Sequence, residues 1–212
     1  MRKTAQVIVM QPVLEVYAFD GFSLWPVAEV ESYGYLPLNG QLSPAEVGTA
    51  VMRIADCNNV DPTADEPPRP ADPLEASLHG LLTMEDLFAS GGLRVTDTST
   101  GVIVLPGCCS GLEEWRDWFL AIDGAVVSFG HDPAPGVERI DDTVRLTVDT
   151  EQNNSPSIEM NVANLRQLLA GAEKDLTDFL DLASDWATSH LPDHASAVAT
   201  AIARVLDLPP KP

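Results

Sequence analysis

The residues best suited to chemistry stand in one short run, Leu105-Pro106-Gly107-Cys108-Cys109-Ser110-Gly111. Read as Gly107-x-Cys109-x-Gly111, it has the spacing of a nucleophile elbow with cysteine in place of serine. A thiol at a helix N-terminus loses its proton more readily because it meets the positive end of the helix dipole. Such a thiolate is a competent nucleophile. His131 is the candidate base for Cys109, with Asp132 or Asp142 to orient the ring. Together these residues describe a thiol-dependent hydrolase or transferase. The competing reading is structural. Elbow enzymes are built on successive parallel strand–helix units, whereas mostly strands follow this run, and a cysteine commonly serves as a small apolar filler. Catalysis is therefore the second reading here, and no residue is assigned a catalytic role.

Other candidates are weaker. His190 and His194 have the four-residue spacing of zinc-binding helices, with Asp193 beside them, but Pro192 breaks the helix between them and removes the shared face. With only His79 and His131 elsewhere, a three-ligand set is hard to assemble, so neither metal nor cofactor is expected. Leu112, Trp115 and Phe119 recur at helical spacing with Trp118 on the flank, which reads as core packing. Asp178, Asp181 and Asp185 stand roughly opposite the apolar side of a predicted helix. Like charges at this spacing cost a helix about 0.2–0.5 kcal/mol per pair. A helix that bears this cost presents a stripe suited to a basic partner, and these three aspartates are the candidate partner-binding residues.

Charge points the same way. The 212 residues hold 32 acids and 12 bases, a formal charge of −20, with 45% hydrophobic residues. That apolar content is globular, not disordered. So acidic a chain offers no basic surface to a phosphate backbone, which argues against nucleic-acid binding. The longest stretch without Asp, Glu, Lys or Arg, residues 98–112, contains Pro106 and three glycines, so no membrane-spanning helix is expected. Nine arginines against three lysines, with plentiful alanine and aspartate, make a composition common in high-GC actinobacteria, and such a habit would by itself account for part of the negative charge. The opening Met1-Arg2-Lys3 is followed by a short apolar run broken by Gln6 and Gln11-Pro12, a strand and not an export signal. Three cysteines, Cys57, Cys108 and Cys109, with no export signal, point to free thiols in a reducing cytoplasm.

The elements that must position these residues are legible in part. Residues 7–9 and 13–19 are rich in β-formers, with Asp20-Gly21 as a turn. Ser43-Pro44-Ala45-Glu46 carries a capping box and opens a helix to about residue 56. Five prolines between residues 61 and 73 mark an acidic surface loop, taken as 58–75. A short helix is predicted over 83–90, then strands over 93–95 and 102–105. A second capping box, Ser110 with Glu113, opens a helix to residue 120. Strands over 125–129, 137–140 and 144–148 come next, joined by short turns as in an antiparallel sheet. Apolar residues from Leu165 to Trp186 recur at three and four residues, which predicts one helix over 162–189, and Pro192 separates it from a last helix. The expectation is a single α+β domain over 1–212: one antiparallel sheet within residues 5–148, short helices, and a C-terminal helical pair in a tail spanning 161–208.

The run Gly92-Leu93-Arg94-Val95-Thr96-Asp97, the segment from Val104 through Leu105-Pro106-Gly107-Cys108-Cys109-Ser110-Gly111-Leu112-Glu113-Glu114-Trp115-Arg116-Asp117-Trp118, and Gly130-His131-Asp132-Pro133 resemble a family of uncharacterised actinobacterial proteins. The resemblance covers about 50 residues. That family has no assigned activity, so the resemblance implies no catalytic residue. Its small acidic members are similar in kind to immunity proteins that neutralise toxins. The leading expectation is thus a non-enzymatic, antitoxin-like protein that binds a basic protein partner, with the Cys109–His131 enzyme as the alternative.

Overall fold

The computed structural model describes residues 7–18, 21–61 and 68–209. The readings that fall on residues 1–6, on Phe19 and Asp20, and on residues 62–67 of the proline-rich loop lie outside them. Strand β1 (Ile8–Val16) pairs antiparallel with β2 (Gly34–Pro37) on one side and β3 (Gly91–Asp97) on the other, and β4 (Val102–Val104) completes a four-stranded sheet in the order β2-β1-β3-β4. Leu14 faces Leu36 and Met10 faces Val95 in this register. A second antiparallel sheet holds β5 (Gly136–Ile140), β6 (Thr143–Thr147) and β7 (Ser157–Asn161) in chain order. The single sheet expected through residue 148 is therefore two sheets. No ladder joins β4 to β5 among the described residues, because the segment between them spends its backbone elsewhere.

Two of the helices are specified by their own residues. Helix α1 (Pro44–Cys57) starts with the expected capping box: the Glu46 N–H donates to Ser43 Oγ at 3.3 Å, and the Ser43 N–H donates to the Glu46 carboxylate at 2.7 Å. Helix α2 (Pro73–Thr83) is absent from the sequence expectations, although Asp72 caps it by accepting from the Leu74 and Glu75 N–H groups and Pro73 fills its first position. It starts inside the span read as the 58–75 loop. The helix predicted over 83–90 does not form. Instead the buried Asn58 amide donates to the Phe88 carbonyl at 2.8 Å and accepts from the Phe88 N–H at 2.9 Å, taking both backbone groups a helix would need.

The second capping box fails for a similar reason. Gly91 N–H donates to the Ser110 carbonyl and Leu112 N–H to the Ala89 carbonyl, so residues 110–112 lie alongside 89–91 as a bridge. The Glu113 carboxylate is drawn to the Ala89 N–H at 3.1 Å, and Ser110 makes no cap bond. The chain continues as a three-residue 3-10 turn, Leu112–Glu114, and then the short helix α3 (Asp117–Ile122). Residues 125–129 are irregular, with Val126 fully exposed, so the strand read there is also absent.

Helix α4 (Val162–His190) is the long helix expected, 29 residues and roughly 43 Å by its rise per residue. Its apolar stripe, from Leu165 through Phe179 to Trp186, is buried against β1, α1 and β7. Helix α5 (Ala195–Val205) packs along it as the second member of the C-terminal pair. Side chains of both sheets and of the helices join one apolar cluster. The fold is α+β, with antiparallel sheets and a C-terminal helical pair.

Candidate functional site

Two loops far apart in sequence meet where β4 ends. The Gly107 N–H donates to the Phe129 carbonyl at 2.9 Å, Cys108 N–H to the His131 carbonyl at 2.6 Å, and His131 N–H back to the Cys108 carbonyl at 3.1 Å. This short ladder works because glycine stands on both sides of it. A Cβ on Gly107 would lie 2.6 Å from the His131 nitrogen, and one on Gly130 would lie 2.6 Å from the Cys108 carbonyl oxygen, with Gly130 at φ +93°. Such separations exclude any side chain. Phe129 packs on Trp118 with centroids 4.7 Å apart, and Tyr35 donates to the Pro106 carbonyl at 3.3 Å, anchoring the two loops to the core.

Beyond the ladder the chain turns sharply. Ser110 N–H donates to the Gly107 carbonyl at 3.3 Å, and Cys109 takes φ +65°, a conformation in which glycine or asparagine is the usual occupant. Left-handed backbone at a residue with a Cβ costs on the order of 1–2 kcal/mol. The turn brings the Cys108 and Cys109 sulfurs to 3.5 Å. One ligand atom from each of Cys108, Cys109 and His131 lies within 4.8 Å of the others, and all three residues are exposed. The His131 Nδ1 stands 3.3 Å from the Asp132 carboxylate. Cys109, His131 and Asp132 are thus together, as their residue types suggest, while Asp142 lies elsewhere, accepting the Val162 N–H on its carbonyl.

The chemistry of this corner differs from that of an elbow in three respects. The sheet is antiparallel, and the helical turn after the cysteines has only three residues, so there is no dipole of useful length behind Cys109. The Cys108 thiol is pushed up from its ordinary range, first by its hydrogen bond with Cys109, then by the charge of Cys109. Tyr35, which flanks the corner, is raised too, by burial first and then by Glu15 and Cys108. Beneath lies a cavity of about 10 Å³ between Pro106, Ser110, Trp115 and Trp118, room for no more than one water.

The three-ligand set that a count of histidines does not anticipate is Cys108, Cys109 and His131. His190 and His194 do not form a ligand pair: His190 stacks on Trp186 at 4.7 Å and 14°, and His194 sits at the start of α5. The aromatic stripe is core, with Trp115 and Leu112 fully buried and Trp115 Nε1 donating to the Leu206 carbonyl at 2.9 Å.

The aspartate stripe of α4 is less uniform than its spacing implies. Asp178 is half-buried beside Gly40, and its carboxylate accepts from Lys174 Nζ. Asp181 and Asp185 are exposed. Asp175, one turn before Asp178, is raised by burial and then by the Asp178 charge. Sequence reasoning misses the fate of the basic residues. Of twelve, Arg2, Lys3 and Lys211 lie outside the described residues, and each of the remaining nine has an acceptor within the fold. Arg53 meets Asp56, Arg69 Asp61, Arg116 Glu173 and Asp207, Arg145 Glu138 and Glu159, Arg166 Asp123 and Lys174 Asp178. Arg94 donates to Gln11, Arg139 to the Ile122 and Asp141 carbonyls, and Arg204 to those of Met84 and Glu85. No family model matches the chain, and the comparisons with curated proteins and with solved structures found no match to it.

Proposed function

We propose that this protein acts by binding a basic protein partner, as an antitoxin or immunity protein does, in a reducing cytoplasm. The observation that carries this reading is the internal engagement of all nine described cations while the chain holds a charge of −20. An approaching cationic protein meets little competing positive charge, so encounter is fast and salt-dependent. Asp181 and Asp185 supply the exposed part of the contact surface, and Asp178 its edge. Three free thiols, Cys57, Cys108 and Cys109, support the reducing compartment. The test is capture from the native cytoplasm at low salt, followed by identification of what is held. A basic protein that binds one to one, and is released by salt and by the Asp181→Asn/Asp185→Asn variant, supports the reading. Recovery of no partner, or of one indifferent to both treatments, overturns it.

The second reading, a thiol-dependent hydrolase or transferase, is favoured by one observation, the approach of His131 to Cys109. Its test is the rate of thiol modification on the folded chain between pH 5 and 9, with single Cys→Ser variants. Labelling of Cys109 that saturates well below the ordinary thiol range of about 8.5 supports it. Labelling that rises only through that range removes it.

A further inference from the structure

Two sulfurs and an imidazole held together on a rigid bridge form a donor set with a preferred guest. We propose that Cys108, Cys109 and His131 bind one thiophilic d10 metal ion of the zinc class, with a fourth position open to an exchangeable ligand. The donor chemistry selects it: two thiolates and a neutral imidazole suit zinc and not the hard ions magnesium or calcium, and three protein ligands with an open position is the arrangement of exchangeable zinc sites. Distances agree. Tetrahedral bonds of about 2.3 Å to sulfur place two thiolates about 3.8 Å apart, and about 3.5 Å from the nitrogen. The sulfurs here stand 3.5 Å apart and the whole set within 4.8 Å, a gap that rotation of exposed side chains closes.

The scaffold is built for the same end. Cys108 and His131 face each other across paired backbone hydrogen bonds, so the ligand-bearing loops cannot drift apart. Cys109 occupies a left-handed turn position that glycine would fill without strain, and that turn is what swings its sulfur to the side of Cys108. Asp132 beside Nδ1 is placed to accept a hydrogen bond from the ring N–H and fix the imidazole, the outer-shell role that carboxylates play at histidine ligands. The site is independent of the partner-binding reading and stands or falls alone.

The experiment uses the full reduced chain, freed of metal and titrated with Zn2+ against a chelating dye, and with Co2+ as a spectroscopic substitute. Excess Mg2+ occupies the many surface carboxylates, and the thiolate-to-cobalt charge-transfer band reads sulfur ligation only. One equivalent bound with that band, weakened at least tenfold by Cys108→Ser, Cys109→Ser or His131→Gln and about tenfold by Asp132→Asn, is the expected result. Cys57→Ser leaves binding unchanged. Cys109→Gly separates folding from ligation, since it removes one sulfur while relieving the turn, and it must weaken binding as Cys109→Ser does with its melting temperature undiminished. The absence of a stoichiometric thiolate band in the native chain, or an undiminished metal affinity in Cys109→Ser, overturns the proposal.

Discussion

Helix α4 and the thiol corner solve the same problem, placing polar groups at fixed distances, by opposite means. In α4 the spacing of Asp178, Asp181 and Asp185 is set by the helix itself, and an apolar stripe on the other side holds it to the core. In the corner, nothing local brings Cys108 to His131. Two loops are pressed together until only glycine fits at 107 and 130, and one residue is held in a conformation it does not prefer. Regular structure makes a chemical pattern visible and tolerant of change. Irregular structure makes it dense, and dependent on a few backbone positions.

The sharpest way to break this contrast is the same substitution in both regions. Gly130→Ala puts a Cβ 2.6 Å from the Cys108 carbonyl oxygen at φ +93°. The loops must part, and we expect a loss of about 2–4 kcal/mol by urea denaturation, with loss of metal binding. If Gly130→Ala is neutral, the corner is not clamped. Gly171→Ala in α4 should have the opposite sign: nothing lies within 4 Å of its added Cβ, and the helix gains about 0.5–1 kcal/mol.

Cys109→Gly sharpens the comparison from within the corner. Relief of the left-handed backbone stabilises the fold by about 1 kcal/mol at most, since glycine also frees the unfolded chain. A destabilised Cys109→Gly would mean that the thiol itself packs the turn. The smallest effect belongs to a regular helix end. Glu46 is held below the ordinary carboxylate range by its bonds from Ser43. With a folded pKa below the unfolded one, its contribution is present above the unfolded value and is lost as pH falls through the folded one. Melting curves of Glu46→Gln against the native chain should therefore differ by roughly a few tenths of a kcal/mol at pH 7 and converge at acid pH.

Legibility in the sequence divides along the same line. Helix α4 is legible because its apolar period persists for about six turns, and α1 because Ser43 and Glu46 each accept one backbone bond while Pro44 fits the first helical position. The Asp72-Pro73 pair carries the same start signal, but it is hidden inside a proline-rich stretch that reads as loop. Strand β7 escapes the sequence reading although Ile158 and Met160 alternate with outward residues. Short strands speak too briefly for alternation to stand out. In the corner the residue types are visible, including Cys109 with His131, but the role of Cys108 is not. Its partnership with His131 depends on pairing across the intervening α3, which no local pattern encodes. The failed capping box at Ser110 has the same origin: Ala89 outcompetes the turn for Glu113.

Strand β1 sits inside its sheet although it is the first element among the described residues. A ribosome completes it well before β3 exists to flank it, and α4, which covers it, begins only at residue 162. At about 5–20 residues per second, Met10, Leu14 and Val16 wait roughly 7–30 s for that cover. A segment that ends among the most secluded in the finished molecule thus spends that interval with part of its apolar surface open to mispairing on the nascent chain.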